Sequence, residues 1–268
     1  MKILKGLLFL VFIKSAKKSY KAPINLKFMK LEKKVLFIKG YSKTATELIN
    51  DRKIIQLYID FFTSNAGGAF DFDSEIIILE EPTIETLNTL TELNNIDYLI
   101  VVLVGHGASK DGIQIFQLQE NVMINPGQIQ FSCPKQLHII ESCRGVIDFE
   151  LDIKRINRLV PKYAYGGTVK APLSREESAQ LFNSAIEKAD EGSLYLFACA
   201  IDESAHNFFF LQVMVDIAIY VHEYFRNSIY SAGDIFEQAK SQVNNLTKGA
   251  QTPTRIGIND FPFVITII

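Results

Sequence analysis

The chain is poor in cysteine, with only Cys133, Cys143 and Cys199 among its 268 residues. This odd number lacks the paired short spacing of a zinc knuckle, and it does not suit a disulfide framework. The sequence therefore indicates a reducing compartment, and we expect a cytoplasmic protein.

An excess of basic charge is also missing. The formal net charge is -2 and the pI is near 6.1. The body of the chain has no basic block with interleaved aromatic residues, which is the usual pattern of a nucleic-acid surface. We therefore expect protein or peptide partners and no nucleic acid.

The apolar run near the N-terminus, residues 6–13, is too short to span a bilayer, and we expect no transmembrane segment. Lys2 and Lys5 precede this run, so a secretion signal is an alternative. A cut after Ala16 would place Lys14 where a small residue is needed, which argues against that alternative. We interpret residues 1–32 as an N-terminal extension to one domain at 33–268.

Short apolar, β-branched runs alternate with helical patterns from residue 35 onward, and the chain has no internal repeat. This alternation predicts an α/β fold, a three-layer sandwich whose central, mostly parallel sheet carries helices on both faces. The predicted strands are 35–39, 76–79, 98–104, 137–141, 194–199 and 261–267. A hairpin is predicted at 113–131, and the capping box Ser174-x-x-Glu177 predicts a helix start. Residues 146–172 form a long basic connection that we interpret as a candidate processing loop.

Two of the apolar runs stop at residues that can carry chemistry. In YLIVVLVGHG, residues 98–107, the apolar run leads to His106, which lies between two glycines. In LHIIESCRG, residues 137–145, it leads to Cys143. If these strands are neighbours in a parallel sheet, both side chains reach the same edge. We interpret the remaining candidates as structural: Cys133, Cys199, His138, His206 and His222.

An imidazole beside a thiol activates it as a nucleophile. His106 would take the proton of Cys143 and later protonate the leaving amine. The backbone N–H groups of Cys143 and Gly107 are available as an oxyanion hole. A cysteine or histidine at a strand end is, on its own, more often a plain structural residue. The joint pattern is more specific, and it predicts a cysteine hydrolase.

The segment around the cysteine resembles the caspase signature QACRG, and VGHG is similar to the SGHG of metacaspases. Similarity to metacaspases extends to GYSKTATELIND, ACAIDESAHN and GAQTPTR, so that it covers most of residues 33–268. The resemblance implies a six-stranded caspase-haemoglobinase sheet, with Cys143 as the nucleophile and His106 as the general base. It also implies an oxyanion hole from Gly107 and Cys143.

The resemblance also bears on specificity. Caspases carry glutamine two residues before the nucleophile and metacaspases carry aspartate, whereas this chain has Glu141. Asp51 resembles the second acidic residue of the metacaspase pocket, although it could equally be a first-turn acid of a helix. Two carboxylates in the S1 pocket would favour Arg or Lys before the scissile bond.

The chain departs from the metacaspase pattern at Val104 and Arg144, and it keeps few of the acidic residues that bind calcium there. We therefore predict no required cofactor and no metal site, with calcium activation as the alternative. Two other functions stay open: a catalytically silent homologue that regulates a protease, and a transamidase of the legumain type. The sequence leaves the oligomeric state open.

Overall fold

The computed structural model describes residues 31–93, 95–110, 113–129, 131–143, 173–201, 203, 205, 209–225 and 229–266. For Glu92, Ser109, Lys110, Gln128 and Cys143 this description is limited to the backbone. The predictions made for residues 1–30 and for the loop 146–172 lie outside the described residues.

The helices and strands alternate along the chain as the sequence predicts. In chain order they are β1 (Lys33–Lys39), α1 (Ala45–Thr63), α2 (Phe72–Glu75), β2 (Ile76–Glu80), α3 (Ile84–Asn88), β3 (Tyr98–Lys110), β4 (Ile113–Gln119), β5 (Val122–Ile124), β6 (Lys135–Cys143), α4 (Arg175–Lys188), β7 (Gly192–Phe197), α5 (Phe209–Tyr224), β8 (Ile229–Ser231), α6 (Ala232–Thr247), β9 (Thr254–Ile256) and β10 (Pro262–Ile265). Short 3-10 turns lie at Thr91–Leu93 and Pro126–Gln128.

The central sheet has the strand order β2-β1-β3-β6-β7-β9. The first five of these strands are parallel, and β9 pairs with β7 in the antiparallel direction. Strands buried on both faces have continuous apolar runs because each side chain meets a covering layer, whichever way it points. The predicted α/β class with a mostly parallel sheet flanked by helices is confirmed.

Alternating residues of the central strands enter two separate cores. Val35 and Phe37 of β1 pack in a core with residues of α1, α4, α5 and α6. Leu36 and Ile38 point to the other face, where α3 and the β4–β5 hairpin cover the sheet. This alternation follows from the two-residue period of a strand.

Two helices begin at capping boxes that are visible in the sequence. Ser174 caps α4 with Glu177, and Ser231 caps α6 with Asp234. In each of these capping boxes the side chain of one residue satisfies a backbone N–H of the other. The inner face of α1, at Ile54, Ile55, Tyr58, Phe61 and Phe62, is buried throughout.

The last predicted strand has a different partner from the one that the sequence suggests. The strand β10 pairs with β8 in a separate two-stranded sheet, and β9 takes the sixth place in the central sheet. The sequence of β9, Thr-Arg-Ile, is too short and too polar to stand out as a strand. Along the described ranges, no helix has both the length and the apolar character that a membrane span requires.

Strand β3 serves two sheets because it continues past the edge of the central one. Its residues pair with β1 as far as Val104 and with β6 as far as His106. Beyond that point, Gly107 begins the antiparallel pairing with β4. The fold thus places His106 at the junction between the central sheet and the hairpin.

Candidate functional site

The two residues singled out from the sequence end neighbouring strands. In the β3–β6 pair, His106 lies directly opposite Cys143, and it is the last residue in the register. Paired positions in adjacent strands lie about 5 Å apart. The carboxyl edge of an open parallel sheet is also where such folds bind their ligands. The backbone therefore brings the proposed base and the proposed nucleophile together at that edge.

His106 is held by an acidic side chain that the sequence analysis does not identify. Its Nε2 lies 3.1 Å from Oε2 of Glu47, and the two side chains retain 23% and 25% of their exposure. The pair thus lies at the boundary between the protein interior and solvent, and the imidazole is partly exposed.

Glu47 belongs to the capping box of α1, at position N3. The side chain of Thr44 accepts a hydrogen bond from the backbone N–H of Glu47 at 3.2 Å. In return, Glu47 Oε2 accepts from the backbone N–H groups of Lys43, at 2.7 Å, and Thr44, at 3.2 Å. The pattern Thr-x-x-Glu is visible in the sequence, but it indicates only a helix start. Its contact with a histidine 59 residues away is a product of the fold.

The environment of Glu47 favours its charged form. Partial burial on its own would raise the pKa of this carboxyl, but the hydrogen bonds from His106, Lys43 and Thr44 outweigh it and lower the pKa. A carboxylate held at a helix N-terminus is also stabilised by the helix dipole. Glu47 is therefore ionised at neutral pH.

Gly107 lies where two parts of the chain approach most closely. A Cβ atom at this position would lie 2.6 Å from Oγ of Ser142 and 2.8 Å from the carbonyl oxygen of Ile115. No ordinary Cβ contact is that short, so only glycine fits between β6 and β4 here. Ser142 is itself buried and accepts a hydrogen bond from Gln114 of β4. Whether Gly107 and Cys143 form an oxyanion hole stays a prediction.

Asp51 lies near the site but inside the protein. It is 4% exposed, and its Oδ2 accepts a hydrogen bond from Ser42 at 2.8 Å. Ser42 in turn accepts from the buried Lys39, whose Nζ also contacts Glu81 at 3.0 Å. Burial raises the pKa of Asp51, although Ser42, Lys39 and His106 act in the opposite direction. A chain of polar contacts thus links Asp51 to the end of β1.

The alternative interpretation of Asp51 as a first-turn helix acid is wrong. Helix α1 begins at Ala45, and the acid in its first turn is Glu47. Asp51 lies six residues beyond the helix start, where the dipole has little effect. Its environment is the loop between β1 and α1, and its charge interacts with the imidazole of His106.

Glu141, the other predicted S1 residue, is completely buried. Its Oε2 accepts a hydrogen bond from the backbone N–H of Leu211 at 3.2 Å. Leu211 lies in the first turn of α5, so the helix dipole stabilises this carboxylate. Glu141 thus contacts the start of α5, whereas Asp51 contacts Ser42 in the loop before α1, and a pocket shared by the two carboxylates stays a prediction.

Of the residues interpreted as structural, Cys133, Cys199 and His138 are buried, and His222 is partly buried. Cys133 is 6% exposed and Cys199 is fully buried, and burial raises the pKa of the Cys133 thiol to about 11. His138 is buried against Tyr195, and His222 contacts the carbonyl oxygen of Ile265. His206 lies outside the described residues.

The segments after β7 and before β9 hold each other in place. The buried side chain of Gln251 donates to the carbonyl oxygen of Ala198 at 2.9 Å. Glu203 accepts from the backbone N–H groups of Thr252, at 2.6 Å, and Ala200, at 3.3 Å. These contacts connect the segment that follows β7 to the segment that precedes β9.

No group of three or more potential metal ligands lies close together within the described part of the chain. Apart from Glu141, the chain has five acidic residues at positions 107–152, where calcium ligands would be expected, and of these Asp111, Asp148, Glu150 and Asp152 lie outside the described residues. Glu120 is exposed at the turn between β4 and β5.

The structure is similar to the crystal structure of the Drosophila initiator caspase Dronc. The TM-score is 0.47 at 12% sequence identity, and the alignment covers 84% of this chain and 78% of that one. No family model matches the sequence, and no curated protein matches it either.

Proposed function

We propose that this protein is a cysteine endopeptidase in which Cys143 is the nucleophile and His106 the general base and acid. The observation that supports this best is the register of β3 and β6, which sets these two residues opposite each other at the sheet edge. Neither strand alone would produce this arrangement. The carboxylate of Glu47 lies beside the imidazole, and its negative charge would stabilise His106 in the protonated form.

The reaction follows from the chemistry of these two groups. His106 accepts the thiol proton, and the sulfur of Cys143 attacks the scissile carbonyl carbon to form a C–S bond. As the C–N bond breaks, His106 returns the proton to the leaving amine. His106 then takes a proton from water, whose oxygen attacks the thioester carbon; the C–S bond breaks to release the acid, and His106 returns the proton to the sulfur of Cys143.

The negative charge near the site supports a basic residue before the scissile bond. Asp51 and Glu47 both interact electrostatically with His106. A carboxylate offers about four acceptor positions, so the hydrogen bond from Ser42 does not exhaust the capacity of Asp51. An Arg or Lys side chain could make charge-assisted hydrogen bonds there, whereas Asp or Glu would be repelled.

Self-cleavage would fall in the segment 152–175, which carries several basic residues. Arg175 is an unsuitable site because its guanidinium already donates to the carbonyl oxygens of Thr63 and Phe70, at 2.6 and 2.5 Å. It is also the first residue of α4. We therefore propose Lys154, Arg155, Arg158, Lys162 and Lys170 as the candidate positions.

The test is cleavage of a mixed peptide library by the purified protein, with the cut positions determined by mass spectrometry. We expect cuts after Arg and Lys, and we expect Cys143→Ala to remove all of them. Cys133→Ala and Cys199→Ala are matched controls, because both thiols are buried and should leave the activity unchanged. Activity in Cys143→Ala at the parental rate would refute the assignment of the nucleophile.

Thiol alkylation gives a second measurement that needs no substrate. With limiting iodoacetamide at neutral pH, Cys143 should react before Cys133, whose raised pKa keeps its thiol protonated. Equal reactivity of the three cysteines, together with no cleavage of the library, would favour the catalytically silent homologue instead.

A further inference from the structure

One oxygen atom of Glu47 contacts two separate elements, the backbone at the start of α1 and the imidazole of His106 on β3. Its Oε2 accepts from the backbone N–H groups of Lys43 and Thr44, and the same atom lies 3.1 Å from Nε2 of His106. The backbone contacts fix the carboxylate before any substrate arrives. The imidazole therefore meets an acceptor that is already oriented.

We propose that Glu47 is a positioning residue for His106, so that the site works as a Cys143–His106–Glu47 triad. The inference rests on the proposed function, because it assigns a role within the same reaction. The contact with Glu47 places the ring proton on Nε2, since a carboxylate accepts and does not donate. This leaves Nδ1 with the lone pair that takes the thiol proton.

The carboxylate also stabilises the product of that proton transfer. When His106 becomes an imidazolium, its positive charge lies beside an ionised oxygen at hydrogen-bond distance. The lowered pKa of Glu47 ensures that this oxygen stays charged while the imidazole takes up its proton. Because both side chains are partly exposed, solvent weakens the interaction, and its effect on the rate is moderate.

The difficulty in testing this role is that Glu47 also caps α1. The chain itself supplies two controls for the cap. Glu177 caps α4 in the same way, through a capping box with Ser174, and among the described residues its carboxylate has no histidine partner. Helix α6 uses Asp234 at the equivalent position, which shows that aspartate also completes a capping box in this protein.

Three variants separate the two roles. Glu47→Asp should keep the cap but retract the carboxylate from His106, because its side chain is one methylene shorter. Glu47→Gln weakens both the cap and the interaction with His106, and Glu177→Gln weakens only a cap. We expect kcat to fall about fivefold in both Glu47 variants, with KM within twofold of the parent, which corresponds to a partly exposed charge pair of about 1 kcal/mol.

In Glu177→Gln, kcat should stay within twofold of the parent even though the melting temperature falls. The acidic limb of the pH profile of kcat/KM should move to lower pH in Glu47→Gln, because the imidazolium loses its negative partner. If kcat instead follows the melting temperature across all three variants, Glu47 is only a helix cap and the inference is wrong.

A spectroscopic comparison does not depend on peptidase activity. In Cys143→Ala protein, the Nε2–H of His106 should give a proton NMR signal far downfield, since it donates to a carboxylate. Glu47→Gln should remove this signal and Glu177→Gln should keep it. Persistence of the signal in Glu47→Gln would overturn the inference. A parent without cleavage activity would overturn the proposed function, while the NMR comparison would still decide whether Glu47 holds the ring.

Discussion

His138 should make the protein sensitive to mild acid. It lies on β6, five residues before Cys143, and its side chain is completely buried. The amide nitrogen of Gln136 donates to the carbonyl oxygens of Phe131 and Cys133, so its Oε1 is left to face Nε2 of His138 at 3.2 Å. Nε2 therefore carries the ring proton.

The other ring nitrogen explains why protonation is costly. Among the described residues, Nδ1 of His138 has no hydrogen-bond partner, and the ring is stacked on Tyr195 with 4.4 Å between centroids. Burial lowers the pKa of His138 from 6.5 to about 3. A second proton would place an unpaired N–H and a full charge in the interior.

The consequence for stability follows from proton linkage. Between pH 6.5 and about 3, the unfolded chain binds a proton at His138 that the folded chain does not bind. The free energy of unfolding therefore falls on acidification, by about 1.4 kcal/mol per pH unit. At pH 5 the loss is about 2 kcal/mol relative to neutral pH, a substantial part of a typical stability of about 5–15 kcal/mol.

Urea unfolding at pH 7 and pH 5 measures this effect, in Cys143→Ala protein so that self-cleavage does not interfere. We compare the parent with His138→Gln and His138→Phe. Both variants remove the titrating ring, but Phe keeps the stacking on Tyr195 whereas Gln keeps a polar group. From pH 7 to pH 5, the free energy of unfolding of each variant should fall by about 2 kcal/mol less than that of the parent. This difference should hold whatever the absolute stability of the variant is. If both variants retain the full pH dependence of the parent, another group is responsible and the reasoning fails.

Two further predictions concern a buried cation and a glycine. Burial lowers the pKa of Lys33 from 10.5 to about 8, so the unfolded chain binds more protons between these values, and the free energy of unfolding should rise by about 2 kcal/mol from pH 8 to pH 10. Lys33→Met should abolish that rise in urea unfolding measured at pH 8 and 10, and an unchanged rise would contradict the assignment. Gly107→Ala places a methyl group against Ser142 and Ile115, and should cost about 1–3 kcal/mol of stability and lower kcat through displacement of His106. Parental stability and parental kcat in this variant would show that β3 and β6 are less closely packed at this point.

Local patterns were sufficient to predict the elements that position the site. The run that ends at Val104 is apolar on both faces, and the run that ends at Glu141 is mostly apolar, which indicates strands in a covered parallel sheet. The capping boxes of α4 and α6 indicate helix starts by their residue types alone. Such signals depend on residues within a few positions of one another, so they can be identified in the sequence without the fold.

The sequence could not assign the pairing partners of the last two strands, β9 and β10. Strand β10 has the stronger apolar pattern, yet β9 joins the central sheet. A strand pattern shows that a segment is extended and buried, but it does not identify the neighbour. In the structure, β9 directly follows α6 and pairs with β7, whereas β10 pairs with β8, the strand that precedes α6.

The sequence by itself determined that His106 and Cys143 each follow a buried strand, because apolar runs and glycines are local features. Only the tertiary structure decided that these strands are adjacent and in register, and that Glu47 reaches the imidazole from the start of α1. The physical reason is that a side-chain contact between distant segments depends on the packing of whole elements. A capping residue has the same sequence pattern whether its carboxylate also contacts a histidine or contacts only water.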